Sequence, residues 1–147
     1  MTSYNESSLT RSVRKILGSE IKSKRPGDSS LRASVLKGFP FSAFEAVQKE
    51  IDLPQNQLSD ILGIPARTMA RRKNNHLSAI ESDRLYRVAW VLAFATEVFG
   101  NAEKARVWLK SPNHELGDEV PLYFLDTDIG SRQVEEELQR IKYGIFG

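Results

Sequence analysis

The sequence contains no cysteine and only two histidines, His76 and His114. Without thiols, the chain can form neither a disulfide framework nor a thiolate zinc site, and nothing in its composition indicates an oxidising compartment. The two histidines also lack the H-x-x-x-H spacing that places two ligands on one face of a helix. We therefore expect no metal site.

The sequence also lacks a long apolar run. Its most apolar stretch, residues 88–95, is far shorter than the roughly 20 residues that a membrane-spanning helix needs. The N-terminal residues contain no apolar segment of the signal-peptide type. We therefore expect a soluble, cytoplasmic protein.

Motifs that carry catalysis are absent as well. The sequence has no phosphate-binding glycine loop and no Gly-x-Ser-x-Gly nucleophile elbow. Acidic residues are frequent, but they fall on helix faces, where solvation is the ordinary explanation. We expect no catalytic residues and a protein that is not an enzyme.

The charge is distributed unevenly along a chain that is long enough for one ordinary domain or two small ones. Of the 147 residues, 40% are apolar, and the net charge is only +2. Residues 1–77 carry 13 basic and 7 acidic side chains, whereas residues 78–147 carry 8 and 12. This asymmetry indicates that the N-terminal half binds a polyanion and the C-terminal half binds something else, unless the solvated charge is distributed by chance.

The stretch from Gln55 to Lys73 is typical of a helix-turn-helix. A first helix over residues 55–62 ends at Gly63, and Pro65 is suited to the first turn of a second helix. Such a motif needs a small residue where the helices cross, which Ser59 supplies, and a turn that tolerates left-handed backbone, which Gly63 supplies. The apolar residues expected inside the motif are Leu58, Leu62, Ile64 and Met69.

The second helix of this motif has a basic outer face. Arginine forms bidentate hydrogen bonds with guanine, whereas phosphates accept from many polar and basic side chains. We assign Arg67, Ala70 and Arg71 to base edges, and Thr68, Arg72 and Lys73 to phosphates. Arg72 stands where an apolar residue often completes the core. A helical hairpin with an exposed basic face and no DNA role is the alternative.

Residues 1–77 divide into two further predicted parts. Residues 1–30 are polar and basic, and we interpret them as a flexible arm that either reaches DNA phosphates or is merely solvated. Residues 31–77 are the predicted DNA-binding domain. Within it, Ser42 and Glu45 have the spacing of a capping box that opens a helix ending near Ile51.

A long helix is predicted from Ser78 to Gly100. Ser78 and Glu81 form a capping box at its start. It carries two apolar stripes, of which one is expected to be intrachain core and the other a candidate dimer interface, although a helix that is only core is the alternative. The core stripe contains Leu85, Val88 and Leu92, and the interface stripe contains Tyr86, Trp90 and Phe94.

The remaining residues predict further helices. We expect a helix from Asn101 to about Lys110, a short turn at Pro121 that carries Leu122 and Leu125, and a last helix that ends near Tyr143. The last helix places Val134, Leu138 and Ile141 on its apolar side and Glu135, Glu136 and Glu137 on its exposed side. An apolar tail follows it and either packs down or inserts into a partner.

Short motifs stand in a characteristic order over about two-thirds of the chain, from near Phe39 to the end. These motifs are residues 62–72, 77–78, 81–85, 97–100, 104–105, 108–109, 112–113, 116–117, 121–122 and 140–144, together with Gly130 and Val134. On these motifs the chain resembles the Xre/MbcA/ParS-type antitoxins of bacterial type II toxin–antitoxin modules.

The resemblance implies an all-α protein, with an Xre-like helix-turn-helix followed by a helical toxin-binding and dimerisation domain over residues 78–147. It implies a homodimer that represses its own operon and occludes the active site of a RES-type, NAD⁺-consuming toxin, without a cofactor of its own. The last helix and tail would lie near that active site, so we expect toxin contacts from Lys142, Tyr143, Gly144, Ile145 and Phe146.

Two other functions stay open at this stage. One is a dimeric helix-turn-helix repressor with no toxin partner, in which the C-terminal half only dimerises. The other is a protein inhibitor whose helix-turn-helix has lost its affinity for DNA, which the unusual Arg72 would explain.

Overall fold

The computed structural model describes residues 7–18, 21 and 28–144, with only the backbone for residues 28–30. Over these ranges the chain is all-α, as predicted, and it contains two isolated β-bridges but no strand. Two 3₁₀ helices, His114–Leu116 and Pro121–Asp126, lie between the last two α-helices. The α-helices are α1 (Ser8–Leu17), α2 (Asp28–Lys37), α3 (Phe41–Ile51), α4 (Gln55–Leu62), α5 (Ala66–Arg72), α6 (Ala79–Phe99), α7 (Ala102–Lys110) and α8 (Asp128–Tyr143).

The chain divides into an N-terminal unit, Met1–Trp90, and a C-terminal unit, Val91–Gly147. The division falls within α6, whereas we expected a boundary at its start. The first turns of α6 belong to the N-terminal unit because they hydrogen-bond to it: the buried hydroxyl of Ser82 accepts a hydrogen bond from the backbone N–H of Phe39 at 2.8 Å.

Part of the segment expected to be a flexible arm is helical. Ser7 caps α1 by accepting a hydrogen bond from the backbone N–H of Thr10 at 3.0 Å. Val13 and Leu17, four residues apart, are fully buried, and α1 packs against α3. The cap and these two apolar residues give residues 8–17 an ordered place in the N-terminal unit. The helix α2 also begins inside the expected arm, at Asp28.

The predicted capping box at Ser42 is wrong, although the helix that it was meant to open exists. Pro40 has extended backbone and stands at the N-cap position, so α3 begins at Phe41 and Ser42 lies inside its first turn. No side chain caps this helix. Its end at Ile51 agrees with the prediction, and its apolar residues Phe44, Val47 and Ile51 are fully buried.

The helix-turn-helix agrees closely with the prediction. The helix α4 has the predicted bounds, and Gly63 ends it in the left-handed region at φ 69° and ψ 30°. Pro65 stands at the N-cap of α5, one residue before the helix, where its fixed φ fits and its missing N–H leaves no donor unpaired. The residues predicted inside the motif are all buried, namely Leu58, Ser59, Leu62, Ile64 and Met69.

The capping box at the start of α6 is confirmed. The backbone N–H of Ser78 donates to the Glu81 carboxylate at 2.8 Å, and the backbone N–H of Glu81 donates to the Ser78 hydroxyl at 3.1 Å. The predicted core stripe of this helix is also confirmed, because Leu85, Val88 and Leu92 are at most 1% exposed.

In the C-terminal unit, α7, the 3₁₀ helix Pro121–Asp126 and α8 follow the predicted order, whereas the 3₁₀ helix His114–Leu116 was not predicted. Leu122 and Leu125 of the 3₁₀ helix Pro121–Asp126 are buried, and this helix packs against both α7 and α8. Thr127 caps α8 by accepting from the backbone N–H of Gly130 at 2.9 Å. A Cβ at Gly130 would collide with the backbone carbonyl of Phe124, so a side chain would prevent this close approach.

The acidic side of α8 is only partly as predicted. Glu136 is exposed, but Glu137 is only 7% exposed and forms a hydrogen-bonded ion pair with Arg140 at 3.2 Å. Glu137 lies three residues after Val134 and next to Leu138, on the buried face of the helix. The ion pair with a partly exposed arginine provides the buried carboxylate with the partner that it needs.

Candidate functional site

The solvent-facing side of α5 carries most of the residues predicted to contact DNA. Arg67, Ala70, Arg71 and Lys73 are exposed, and Thr68 is half-buried. Met69 points the other way and is fully buried. The helix therefore presents Arg67 and Arg71 on one exposed face, as a recognition helix must do to enter the major groove, and the exposed Lys73 follows at its C-cap.

Two hydrogen bonds connect Arg71, on this face, to neighbouring residues. The Nη2 atom of Arg71 lies 3.4 Å from the hydroxyl of Thr68, one turn earlier. The side-chain amide of Asn75 donates to the backbone carbonyl of Arg71 at 3.1 Å and so covers one of the free carbonyls at the end of α5. Arg71 thus extends along the exposed face from a capped helix end.

Arg72 has a different environment from the other basic residues of α5. Its Nε donates to Glu81 Oε1 at 2.9 Å, and its Nη2 donates to Oε2 at 3.4 Å, so the guanidinium engages both carboxylate oxygens. The side chains are 28% and 12% exposed. The structure therefore directs the Arg72 guanidinium toward Glu81 of α6. Arg72 stands at a position where an apolar residue often completes the core, and Glu81 neutralises its positive charge there.

The Glu81 carboxylate holds the capping box and this ion pair at the same time. Its burial alone would raise the pKa, but the hydrogen bonds from Arg72 and from the Ser78 backbone, together with the positive charge of Arg72, lower the pKa below the usual value for glutamate. Glu81 therefore stays ionised in the folded protein at neutral pH and links the end of α5 to the start of α6.

A second connection between α6 and the helix-turn-helix was not predicted. Arg84 Nη1 donates to the backbone carbonyl of Leu62 at 2.9 Å and thereby satisfies one of the free carbonyls at the end of α4. A Cβ at Gly63 would lie 2.7 Å from the same nitrogen. The resemblance includes both residues, but only the fold shows that Arg84 passes beside the turn glycine.

A cleft of about 700 Å³ lies between α2 and the first turns of α6. Tyr86, predicted at a dimer interface, lines it and is half-buried. Leu36 and Ile80 also line it and are 57% and 66% exposed, so two large apolar side chains are accessible beside the groove. This part of the surface therefore combines a groove with exposed apolar groups.

The other two residues predicted at the dimer interface differ in exposure. Trp90 is half-buried, so a single chain leaves part of its indole accessible. Phe94 is only 6% exposed and belongs to the C-terminal unit, where the Lys142 ammonium lies 5.7 Å from the centre of its ring. Little of the Phe94 ring is available to a second subunit, so we leave this residue out of the proposed interface.

The end of α8 carries the predicted toxin-binding residues that the structure describes. Lys142 lies 3.8 Å from a carboxylate oxygen of Glu97 and 5.5 Å from the centre of the Tyr143 ring. Tyr143 is 67% exposed, and Gly144 ends the helix in the left-handed region. Ile145 and Phe146 lie outside the described residues. Lys142 thus connects the last turn of α8 to Glu97 and Phe94 of α6 and supports an exposed tyrosine.

Neither a metal-binding group nor a membrane-spanning helix is found among the residues that the structure describes. No group of three or more histidine, aspartate or glutamate side chains is arranged to hold a metal ion within this part of the chain. Over the same residues, no helix combines the length and apolarity that crossing a membrane requires.

Family models match both parts of the chain. Residues 30–89 match the antitoxin Xre-like helix-turn-helix domain, which includes α3 to α5 and the first turns of α6. Residues 94–144 match the antitoxin Xre/MbcA/ParS C-terminal toxin-binding domain. The boundary between the matched ranges lies within α6, close to the division between the two compact units.

Curated relatives agree with these matches. The antitoxin Xre of Photorhabdus laumondii is 31% identical over 118 residues, which are 78% of this chain and 80% of the relative. The antitoxin Xre of Yersinia enterocolitica is 28% identical over 116 residues, which are 77% of this chain and 78% of the relative. The antitoxin Xre of Pseudomonas putida is 42% identical over 83 residues, which are 55% of this chain and 52% of the relative, so this match spans about half of its length. With its helix-turn-helix domain and a C-terminal domain of the toxin-binding type, the chain belongs to the family of Xre-type antitoxins.

Proposed function

We propose that this protein is an antitoxin that binds a RES-type, NAD⁺-consuming toxin, occludes its active site and represses its own operon as a homodimer. The observation that carries this proposal is the match of residues 94–144 to a toxin-binding domain that ends at the exposed last turn of α8. A repressor with no toxin partner would not need such a domain.

The end of α8 is the part of the C-terminal unit that we propose for the toxin's active site. Tyr143 offers an exposed aromatic ring with a polar tip, which suits insertion into a partner's pocket. Lys142 supports this ring and contributes a cation, and the sequence continues with Ile145 and Phe146. Aromatic and apolar groups at the exposed end of a helix would fill a partner's cleft and block access to it.

The exposed cations of α5 support the proposed repression. Arg67 and Arg71 share one face of a helix that follows the turn of a helix-turn-helix, and Lys73 is exposed at the end of that helix. Arg72, the residue that suggested a loss of DNA affinity, is explained by its ion pair with Glu81. The sequence argument for an inhibitor that no longer binds DNA therefore disappears.

The cleft between α2 and α6 supports a homodimer. Tyr86 lines this cleft beside the exposed side chains of Leu36 and Ile80, and Trp90 follows one turn later on α6. Exposed apolar groups beside a groove are typical of protein–protein contacts. We propose that Tyr86 and Trp90 contribute to the contact between two copies, which would place two recognition helices on one operator.

Co-purification with the product of the neighbouring gene tests this function. We expect a tagged chain that is co-expressed with that gene to retain a RES-type protein through gel filtration, and the isolated complex to lack NAD⁺-consuming activity. Recovery of a dimer of this chain alone, together with tight operator binding, would instead identify a repressor with no toxin partner.

A further inference from the structure

We infer that Arg72 and Glu81 form a positioning pair that sets the orientation of the recognition helix on DNA, and that Arg72 itself makes no phosphate contact. This inference rests on the proposed DNA-binding function, which it extends by separating the residues that contact DNA from those that orient the helix.

The recognition helix has few other points of attachment. It contains seven residues, fewer than two turns, and an isolated helix of this length is unstable in water. Within α5, all of whose residues are described, Met69 is the one that is fully buried. The position of the last turn of α5 therefore depends mainly on its side-chain contacts. In that turn, Arg72 forms an ion pair with Glu81 of α6.

The geometry favours a fixed contact over a loose surface ion pair. Arg72 donates to both oxygens of Glu81, a two-point arrangement that defines the relative orientation of the two groups. Glu81 is itself held, because its Oε1 atom also accepts the backbone N–H of Ser78. The carboxylate is thus part of the helix cap, so Arg72 is bound to a rigid part of the N-terminal unit.

A phosphate contact by Arg72 would be unfavourable in this arrangement. A phosphate contact that turned the Arg72 guanidinium away from Glu81 would break both hydrogen bonds and leave a carboxylate that is only 12% exposed without its cation. Lys73, the next residue, is exposed and does not face this conflict.

The other helix of the motif is held by α6 in the same way. Arg84, three residues after Glu81, donates to the carbonyl of Leu62 at the end of α4. Both helices of the motif are therefore connected to the first turns of α6, and the Arg72–Glu81 pair is the connection that reaches the recognition helix. Loss of this pair should change the orientation of α5 on DNA without removing a positive charge that contacts DNA.

The salt dependence of DNA binding separates positioning from phosphate contact. The probe is a duplex fragment covering the sequence upstream of the protein's own coding region, titrated between about 50 and 200 mM salt. Arg72→Gln should weaken binding about tenfold, the size of one lost base contact, and leave the slope of log K against log salt unchanged. The matched control Lys73→Gln should lower the magnitude of that slope by about one, as expected for a lost phosphate contact.

Glu81→Gln provides the opposite test of the same pair. If Glu81 positions α5 through Arg72, this variant should weaken binding about as much as Arg72→Gln, and the double variant should be no worse than either. If Glu81 merely withholds Arg72 from DNA, Glu81→Gln should bind more tightly. Tighter binding, or a slope change of about one for Arg72→Gln, would overturn the inference.

A measurement without DNA distinguishes failure of this inference from failure of the proposed function. Backbone amides of α5 should exchange with solvent faster in Arg72→Gln and Glu81→Gln than in the wild type or Lys73→Gln. If the wild type does not bind the fragment, the proposed repression fails, and the exchange experiment still decides whether the pair holds α5. Unchanged exchange in both variants would show that it does not.

Discussion

Arg84 and Leu62 are joined by a hydrogen bond of 2.9 Å across the turn of the helix-turn-helix: the Arg84 guanidinium on α6 donates to the backbone carbonyl of Leu62, the last residue of α4. The guanidinium passes directly beside Gly63, where a Cβ would lie 2.7 Å from Arg84 Nη1. The turn glycine therefore has two roles: it adopts the left-handed backbone, and it leaves room for the arginine.

Substitution of this glycine should be more costly than strain in the turn alone. Gly63→Ala combines an unfavourable φ with displacement of Arg84, so we expect a loss of about 2 kcal/mol in the free energy of unfolding. Gly117→Ala is the matched control, because Gly117 has φ 71° and nothing within 4 Å of its Cβ position. It should cost about 1 kcal/mol, measured by the same denaturant titration. Equal losses would contradict a role for Arg84, and Arg84→Ala should remove the difference between the two glycine variants.

The Glu81 carboxylate should make the stability depend on pH at the acidic end. Its pKa is lower in the folded protein than the ordinary value near 4.3, so its stabilising contribution is complete above that value and is lost as the pH falls through the folded value. Glu81→Gln should therefore be less stable than the wild type by about 1 kcal/mol near neutral pH. The difference should disappear in strong acid, and chemical denaturation across this range measures it.

The control for this pH experiment is Glu136→Gln, which changes an exposed glutamate on α8. It should alter the free energy of unfolding by less than about 0.5 kcal/mol, as surface substitutions usually do. A gap between the wild type and Glu81→Gln that stays constant from neutral pH to strong acid would show that ionised Glu81 is not the cause.

Arg71 is the residue of α5 that we expect to read a base. Arg71→Ala should weaken operator binding by about 1–3 kcal/mol and relax the preference for one base pair of the site. Arg132→Ala removes an exposed arginine from α8, where it pairs with Asp128, and should leave DNA affinity unchanged. Band-shift titrations with a set of single-base variants of the operator measure both effects. Full affinity of Arg71→Ala for every variant would exclude Arg71 from base recognition.

The last turn of α8 and the residues after it should determine toxin neutralisation. Deletion of residues 144–147 should weaken inhibition of the toxin while the helical circular dichroism signal stays as in the full chain, because the buried residues of α8 precede the deletion. Unchanged inhibition by the truncated protein would exclude the tail from the proposed plug.

Lys142 should contribute to the same activity by holding Tyr143 and the end of α8. Lys142→Met removes the ammonium that lies near Glu97 and the rings of Phe94 and Tyr143. We expect weaker inhibition of the toxin, measured by titrating the variant against its NAD⁺-consuming activity. Lys104→Met, which changes an exposed lysine of α7, is the control and should inhibit as the wild type does. Identical inhibition by both variants would contradict a role for Lys142.

The parts of the fold that could be predicted are those set by local sequence. Gly63 fixes the end of α4 through its backbone freedom, and the Ser78–Glu81 spacing fixes the start of α6, so both appear in the structure where expected. The same local argument fails at Ser42 because Pro40, two residues earlier, already supplies the extended N-cap residue, so α3 begins at Phe41. Two capping signals of similar strength cannot be ranked from sequence alone.

The parts that could not be predicted depend on partners distant in sequence. Nothing near Arg72 indicates that its partner is nine residues away across a turn, and nothing near Arg84 indicates the carbonyl of Leu62. Val13 and Leu17 share a short segment with Leu9 and Ile16 whose apolar pattern is weak in the sequence, and it is α3 that covers them in the fold. The run of three glutamates, residues 135–137, predicts an exposed side that includes Glu137. Its spacing of three residues from Val134 places Glu137 on the buried face instead.

The central claim, that this antitoxin protects cells by occluding a RES-type toxin, is tested most directly by intracellular NAD⁺. NAD⁺ should fall when the neighbouring toxin gene is induced alone and should stay at its starting level when the full chain is co-expressed. It should fall again, at least partly, when the chain lacks residues 144–147. The account is contradicted if the toxin leaves NAD⁺ unchanged, or if NAD⁺ falls equally with and without the full chain.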